Sequence, residues 1–338
     1  MSPRLSSVPL PLSDADLESV LVDGLAEIER RLDVAVSRTR VLSDAPSRHL
    51  LAAGGKRMRP ALALLAAQLG SGTSESVLEA AVGVELTHLA SLYHDDVMDS
   101  APTRRGAPSA HEVWGNSVAI LAGDLLFARA SQTVAGLGAT AVRIQAETFE
   151  RLCVGQLHET IGPQEGDDPV EHHLEVLAGK TGSLIAASAH FGALFGGLEG
   201  ERLTAVVEYG ERVGVAFQLA DDVLDLTSTA EVLGKVPGTD LREGVPTMPV
   251  LLLRRSVAGG AEDAEGRETL ADLEGDLSSD EALEAVVARL REHPVMEQAR
   301  EMAREHARDA VAQLAPIEES PAKDALREFA QLVVERLA

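Results

Sequence analysis

Apolar side chains recur at three- and four-residue spacings along most of the chain, as one buried face of an α-helix requires. Ala61, Leu64 and Leu65 follow this spacing, and Val82 and Leu86 repeat it in the next segment. Clusters rich in Gly, Pro, Ser and Asp separate these segments near residues 43, 70, 100, 162, 196, 236 and 258. No run alternates polar with β-branched apolar residues, as a strand would. The pattern therefore predicts an all-α protein of ten or more helices.

The domain organisation follows from the same pattern. No long linker interrupts the chain, so residues 1–338 are predicted to form a single domain. Pro and Ser are frequent in residues 1–13, which we expect to be flexible. Residues 258–282 are acidic and contain Gly, which predicts a mobile loop. The amphipathic segment 283–338 is expected to pack as helices or to form a dimer contact.

The acidic composition narrows the classes of function. Lys and Arg number 30 but Asp and Glu number 54, and this net charge of −24 disfavours binding to nucleic acid or to an anionic membrane. No stretch has the ~18 uninterrupted apolar residues of a membrane span, and we expect no signal segment. Cys153 is the single cysteine, so an intrachain disulfide is excluded. These features predict a cytoplasmic protein.

Two similar acidic motifs carry the most information. LYHDDVMD and QLADDVLD share the pattern DDxxD, formed by Asp95, Asp96 and Asp99 and by Asp221, Asp222 and Asp225. Residues i and i+4 of a helix share a face, so the outer carboxylates of each motif repel each other unless a cation neutralises them. Flanking apolar residues place both motifs at the rim of an apolar interior. Carboxylates without His or Cys ligands suit Mg²⁺, which also binds phosphate oxygens, so the pair predicts a Mg²⁺-assisted diphosphate site.

Basic residues are placed where such a site needs them. They are Lys56, Arg57 and Arg59 in GGKRMRP, Arg104 and Arg105 in PTRRG, and the isolated Lys180 and Lys235. A guanidinium group binds phosphate oxygens through a planar fork, and an ammonium group acts as a point charge. Together with the acidic motifs, they indicate a Mg²⁺–diphosphate site.

These motifs resemble those of the trans-type polyprenyl diphosphate synthases, the head-to-tail prenyltransferases. The resemblance extends from residue 50 to residue 253 through GGKRMRP, HLASLYHDDVMD, PTRRGAPSAHEVWGN, AILAGDLLF, GQLHE, GKTGSL, FQLADDVLDL and GKVPGTDLREG. It implies an isoprenoid-synthase-like helical bundle around a deep central cavity, with both aspartate motifs at its mouth. It further implies a homodimer and, at most, transient membrane contact during product release.

The resemblance also implies a role for each candidate residue. The six aspartates and Lys180 would be catalytic, and the aspartates would hold Mg²⁺, about three ions per site, against an allylic diphosphate. Isopentenyl diphosphate would be bound by Lys56, Arg59, His88 and Arg105. The allylic side would include Arg104, Lys180 and Lys235, and the reaction zone would be lined by Thr181 and Gln218. Arg57 has only a general electrostatic role in this interpretation.

The implied reaction proceeds by ionisation, condensation and proton loss. Mg²⁺ and basic side chains would stabilise the departing diphosphate, and the alkene of isopentenyl diphosphate would attack the allylic cation. The released diphosphate would then accept a proton, and exclusion of water would protect the cation. Val245 stands where many members have Lys, so one contact to the allylic diphosphate is expected to be missing.

The helix before Asp95 is expected to act as a ruler for product length. Its face toward the growing chain carries Ser91, Thr87 or His88, and Val84, and each ~5.4 Å turn corresponds to roughly one isoprene unit. Short-chain members have a bulky aromatic residue four or five positions before the first Asp, where this chain has Ser91 and Ala90. We therefore predict a product longer than about twenty carbons, in the range of about thirty to fifty, with Phe149 as a candidate floor.

Other functions remain open at this point. A geranylgeranyl or farnesyl diphosphate synthase would catalyse the same reaction but release a shorter product. A non-catalytic subunit of a heteromeric synthase would be inactive alone. A class I terpene cyclase would not require isopentenyl diphosphate and generally carries a different second metal motif. A purely structural helical protein would leave the paired carboxylates unexplained.

Overall fold

The computed structural model describes residues 9–10, 12–37, 41–228, 237–242, 244–260 and 263–335. Most of the predicted flexible start, residues 1–13, lies outside the described residues. The regular structure of the described residues is helical apart from one short hairpin. The predicted all-α class with ten or more helices is therefore confirmed.

Sixteen α-helices are found in the described parts of the chain. The first ten are α1 (Ala15–Val36), α2 (Val41–Ala52), α3 (Met58–Ala67), α4 (Glu75–Met98), α5 (Ala110–Trp114), α6 (Asn116–Ala135), α7 (Ala139–Ile161), α8 (Pro169–Leu177), α9 (Ser183–Phe195) and α10 (Gly200–Thr227). A π-helical turn, Ala178–Gly182, joins α8 to α9. The remaining helices are α11 (Thr239–Arg242), α12 (Met248–Ala258), α13 (Ala264–Leu273), α14 (Asp280–Glu292), α15 (Val295–Gln313) and α16 (Pro321–Glu335).

The hairpin after α4 consists of β1 (Thr103–Arg104) and β2 (Ala107–Pro108), paired antiparallel. Its two-residue turn is formed by Arg105 and Gly106, whose φ values are 54° and 76°. Positive φ at both central positions is typical of a type I′ turn, which matches the twist of the flanking strands. The turn therefore fixes the backbone of a predicted substrate-binding arginine.

The contacts between Cα atoms divide the chain into two compact units. Unit 1 comprises the described residues of Met1–Leu152, Ser183–Gly210 and Val311–Phe329. Unit 2 comprises the described residues of Cys153–Gly182, Glu211–Ala310 and Ala330–Ala338. The single domain remains a prediction.

Unit 1 has a tightly packed contact between α3 and α9. Every residue of α3 from Pro60 to Ala67 is buried, as expected for a helix with apolar residues on all sides. A Cβ atom on Gly192 of α9 would lie only 2.1 Å from the backbone oxygen of Ala63. Glycine at this position therefore allows the two helix backbones to approach each other.

Replacing Gly192 by Ala is expected to lower the free energy of unfolding by about 1–3 kcal/mol, because the added methyl group overlaps the backbone of α3. Urea unfolding measures this difference. Gly136→Ala is the matched control, since its Cβ would meet only the Thr133 oxygen at 3.5 Å. Equal effects of the two substitutions would contradict the packing argument.

In unit 2, the predicted mobile loop at 258–282 is wrong for Ala264–Leu273, because these residues form α13. The Asp263 carboxylate caps the helix by accepting a hydrogen bond from the Gly266 N–H at 2.7 Å. His293 lies 3.0 Å from the other oxygen of Asp263. Acidic composition indicated exposure, but Ala, Glu and Leu are also good helix formers, so this composition does not exclude a helix.

Candidate functional site

The first aspartate motif lies in unit 1 at the C-terminal end of α4. Asp99 is the C-cap residue, and its N–H donates to the backbone oxygen of Asp95 at 2.8 Å. This geometry keeps the two residues one turn apart on the same side of the helix. The last turn of a helix carries a partial negative charge, which adds to that of the carboxylates. The end of α4 is therefore suited to a cation.

The middle aspartate of this motif has a different environment. Asp96 is fully buried, and Arg104 Nε donates to its Oδ1 at 2.6 Å. Burial raises the pKa of Asp96, and the charge of Arg104 opposes this rise. Asp96 Oδ2 is also buried and accepts no hydrogen bond from the part of the chain that the structure describes. Arg104 thus contacts the motif, and its role at an allylic diphosphate stays a prediction.

Two of the residues predicted to bind isopentenyl diphosphate, Arg59 and Arg105, lie near a buried acid that the motifs did not reveal. Glu85 on α4 is 2% exposed, and the charges of Arg57, Arg59 and Arg105 act on it. Burial raises the pKa of Glu85, whereas the three guanidinium groups lower it. Its position three residues before His88, on the same helix face, is the sequence signal that could have identified it.

His88 and Lys56 complete the predicted group. Burial, followed by the charges of Arg59 and Arg105, holds the pKa of His88 well below 6.5. This lowering of the pKa favours the neutral ring, which can donate a hydrogen bond from one nitrogen only. Lys56 is exposed in the loop before α3, where its ammonium group can reach a ligand.

The second aspartate motif lies in unit 2, in the last two turns of α10. His173 Nε2 on α8 lies 2.8 Å from Asp222 Oδ2, and the Met248 N–H donates to the same oxygen at 2.8 Å. The middle aspartate is thus held by the protein in this motif as well. His173 was missed by the sequence analysis, although it lies two turns before Lys180.

Lys180 belongs to the π-helical turn between α8 and α9, and its Nζ donates to Glu159 Oε2 at 2.5 Å. The first residue of the GQLHE motif, Gly155, packs against this turn, because a Cβ there would lie 2.7 Å from the backbone N of Lys180. Single π-helical turns are frequent at functional sites. Thr181 lies in the same turn, and Gln218 lies one turn before Asp222 on α10.

Two further positions, Lys235 and Val245, were assigned to the allylic side. Lys235 lies outside the described residues. Val245 is 37% exposed, and its N–H donates to the Asp240 backbone oxygen at 2.9 Å. The side chain at this position is accessible but, being aliphatic, supplies no phosphate contact.

The proposed ruler residues are buried in unit 1. Ala90 and Thr87 are fully buried, and Ser91 is 8% exposed. Gln145 Nε2 on α7 donates to Thr87 Oγ1 at 2.6 Å, so α7 contributes a residue that the sequence analysis missed. Phe149 is 37% exposed, and its ring centroid lies 4.4 Å from that of Phe127 on α6. The role of Phe149 as a floor stays a prediction.

The oxygen donors of the acidic motifs are chemically suited to a divalent cation. Within the described parts of the chain, no group of three or more His, Cys, Asp or Glu side chains forms a ready-made metal site. Mg²⁺ is commonly bound by one or two carboxylates together with substrate phosphates, so this finding agrees with a shared site. The buried Oδ2 of Asp96 is a hard oxygen donor of the required kind. The residues present therefore fit a divalent cation that is completed by a diphosphate.

Most of the chain matches a known protein family. The family model described as polyprenyl synthetase matches residues 41–290, which include both aspartate motifs and the basic loop before α3. The chain belongs to the polyprenyl synthetase family. It is therefore a prenyltransferase, and the resemblance found in the sequence is confirmed.

Individual relatives of this polyprenyl synthetase differ in product. The chain is 42% identical to the nonaprenyl diphosphate synthase of Mycobacterium tuberculosis over 96% of each chain. The geranylgeranyl pyrophosphate synthase from Corynebacterium glutamicum, complexed with calcium and isoprenyl diphosphate, has a TM-score of 0.86 and 40% identity over 97% of this chain and 99% of that one. A decaprenyl diphosphate synthase from Rhodobacter capsulatus has a TM-score of 0.84 and 31% identity over 96% and 99%.

Proposed function

We propose that this enzyme condenses isopentenyl diphosphate with an allylic prenyl diphosphate and releases an all-trans polyprenyl diphosphate of more than about twenty carbons. The observation that carries the chain length is the absence of an aromatic residue at Ala90 and Ser91. The nonaprenyl and decaprenyl diphosphate synthases among its relatives support the same reading. The net charge and the single cysteine support a cytoplasmic location without nucleic-acid binding.

The site residues divide the work between the two substrates. The carboxylates of the two motifs would hold divalent cations, Mg²⁺ at about three ions per site, which would supply positive charge to the diphosphate of the allylic substrate. Lys180 and Arg104 add positive charge on the allylic side. Lys56, Arg59 and Arg105 bind the second diphosphate, and neutral His88 donates one hydrogen bond to it. The calcium and isoprenyl diphosphate bound to the Corynebacterium glutamicum relative support this assignment.

A product of about twenty carbons is the second candidate. Val84 lies three turns before Asp95 and packs in an apolar cluster with Ile144 and Phe191. This cluster closes the helix face about three turns from Asp95, which leaves room for the isoprene unit at the diphosphate and about three more units at one unit per turn. The 40% identity to a geranylgeranyl pyrophosphate synthase favours the same outcome. For a longer product, the growing chain would have to turn away from this face of α4 before it reaches Val84.

Incubation of the purified chain with Mg²⁺, isopentenyl diphosphate and separate allylic primers of five to twenty carbons tests the function. Chain-length analysis of products beyond twenty carbons would support the first proposal, and products that stop at twenty would support the second. Turnover of an allylic diphosphate without isopentenyl diphosphate would indicate a cyclase. No turnover from any primer would indicate a subunit that requires a partner.

We also infer a homodimer that covers the exposed apolar face of α6. Val118, Ile120 and Leu121 on this helix are 37%, 41% and 64% exposed. The most apolar 18-residue window of α6 has a mean hydropathy of 1.3, and only 39% of this window is buried. By length and composition alone, α6 could therefore also span a membrane. Large exposed apolar side chains on one helix mark an interaction surface. A second copy of this chain is the occupant that the family resemblance implies.

Replacing Leu121 by Glu is expected to convert the dimer to a monomer, because a buried unpaired carboxylate at an interface is costly. Light scattering after gel filtration measures the mass. Val20→Glu on α1 is the control, since Val20 is an exposed aliphatic residue on a different helix, 41% exposed. A dimer that survives Leu121→Glu would place the interface elsewhere.

A further inference from the structure

The guanidinium group of Arg57 is fully engaged by the protein itself. Arg57 is 4% exposed, and it donates to the two carboxylate oxygens of Glu29 at 2.7 and 3.1 Å and to Glu85 at 3.2 Å. Two further hydrogen bonds reach the backbone oxygens of Gly54 at 3.2 Å and Leu51 at 3.5 Å. Because a guanidinium group has five N–H donors, these contacts occupy the whole set.

The backbone before Arg57 is shaped around this side chain. Arg57 has a φ of 52°, a left-handed conformation that is unfavourable for residues with a side chain. A Cβ atom on Gly55 would lie 2.7 Å from Arg57 Nη1 and 2.8 Å from Arg105 Cζ. The Gly55 backbone therefore fits between the two guanidinium groups, and only glycine leaves room for both.

A single carbonyl links Arg57 to a predicted substrate ligand. The backbone oxygen of Gly54 accepts hydrogen bonds from Arg57 Nη1 and from Arg105 Nη1. Arg105 also donates to the Leu50 oxygen at 3.2 Å. Any displacement of this loop would therefore move the guanidinium group of Arg105.

The charges nearby divide into two groups. Glu29 and Glu85 neutralise Arg57, which removes its charge from the site. Arg59 Nε, by contrast, is buried and has no hydrogen-bond partner among the described residues. Arg59 therefore has a donor left for a ligand, whereas Arg57 does not.

We propose that Arg57 is a positioning residue that holds the end of α2 and the loop that follows it, from Leu51 to Gly55, so that Arg59 and Arg105 face isopentenyl diphosphate, without contacting the substrate itself. The inference rests on the proposed function of this site. In this proposal, Arg57 acts by fixing the position of the loop and not by the general electrostatic role expected from the sequence. The ion pairs with Glu29 and Glu85 are what anchor the loop to α1 and α4.

Arg57→Lys tests this role, because lysine keeps the charge but cannot reproduce the planar set of donors. The KM for isopentenyl diphosphate is expected to rise about tenfold, while kcat and the KM for the allylic primer stay within about threefold. Calorimetric titration with isopentenyl diphosphate alone should show the same loss of affinity. Glu29→Gln, a milder change at a partly exposed residue, should raise this KM about threefold.

Arg31→Lys is the matched control, since Arg31 on α1 pairs with Glu27, Glu75 and Glu79 without contacting the loop. It should leave both KM values unchanged. Unchanged KM for isopentenyl diphosphate in Arg57→Lys and Glu29→Gln, or equal increases for both substrates, would overturn the inference. Failure of the unsubstituted enzyme to consume isopentenyl diphosphate with any primer would instead overturn the proposed function.

Discussion

Replacing Asp95 by Asn is expected to lower kcat on the order of 10²–10³-fold, the loss typical when one group that stabilises developing charge is removed. Asp95 lies in the last turn of α4, where its carboxylate and that of Asp99 add to the partial negative charge of the helix end. An amide keeps the shape but not the charge that attracts a divalent cation. The Mg²⁺ concentration for half-maximal activity should therefore rise as well.

Asp33→Asn is the control for Asp95→Asn. Asp33 pairs with Arg48 at 2.6 Å on the surface of unit 1, and both side chains are about half exposed. Exposed pairs of this kind contribute only about 0–1 kcal/mol to stability, so neither activity nor the Mg²⁺ dependence should change. Full activity of Asp95→Asn at ordinary Mg²⁺ would show that this carboxylate does not bind the cation.

Replacing Ser91 by Phe is expected to shorten the main product to about ten to fifteen carbons, because the ring would fill the helix face one turn before Asp95 and each turn corresponds to roughly one isoprene unit. Ser91 is 8% exposed, and its hydroxyl donates to the His88 backbone oxygen at 2.9 Å. Ser91→Ala removes this hydrogen bond without adding volume and should leave the product length unchanged. Chromatography of the dephosphorylated products measures the chain length.

Ala90→Phe is the second variant for product length. Ala90 is fully buried, and its backbone oxygen would lie 3.1 Å from a Cβ on Gly123 of α6, so α4 and α6 are close together here. Overpacking at this position should cost about 1–3 kcal/mol of stability, which thermal unfolding would reveal. Unchanged product length in both phenylalanine variants would refute the ruler.

The helical fold could be predicted from sequence because its signal is local. The periodicity around Leu64 and Leu86 predicted the helices that became α3 and α4, and both are largely buried. The error at Ala264–Leu273 arose because acidic residues indicate exposure in loops and in surface helices alike. Asp263 caps this helix, and its carboxylate also contacts His293, which is 30 residues away in the chain.

The sequence by itself determined the reaction class, because the reaction requires carboxylates at i and i+4 and clustered arginines. Both features occur within short motifs that can be recognised without a structure. The tertiary structure alone decided which of these groups are already engaged. Asp96 and Asp222 are held by Arg104 and His173, and Arg57 is held by two glutamates. Arg104 lies in the hairpin that follows α4, whereas His173 and the two glutamates come from helices at least 28 residues away in the chain. No local spacing encodes such contacts between separate elements.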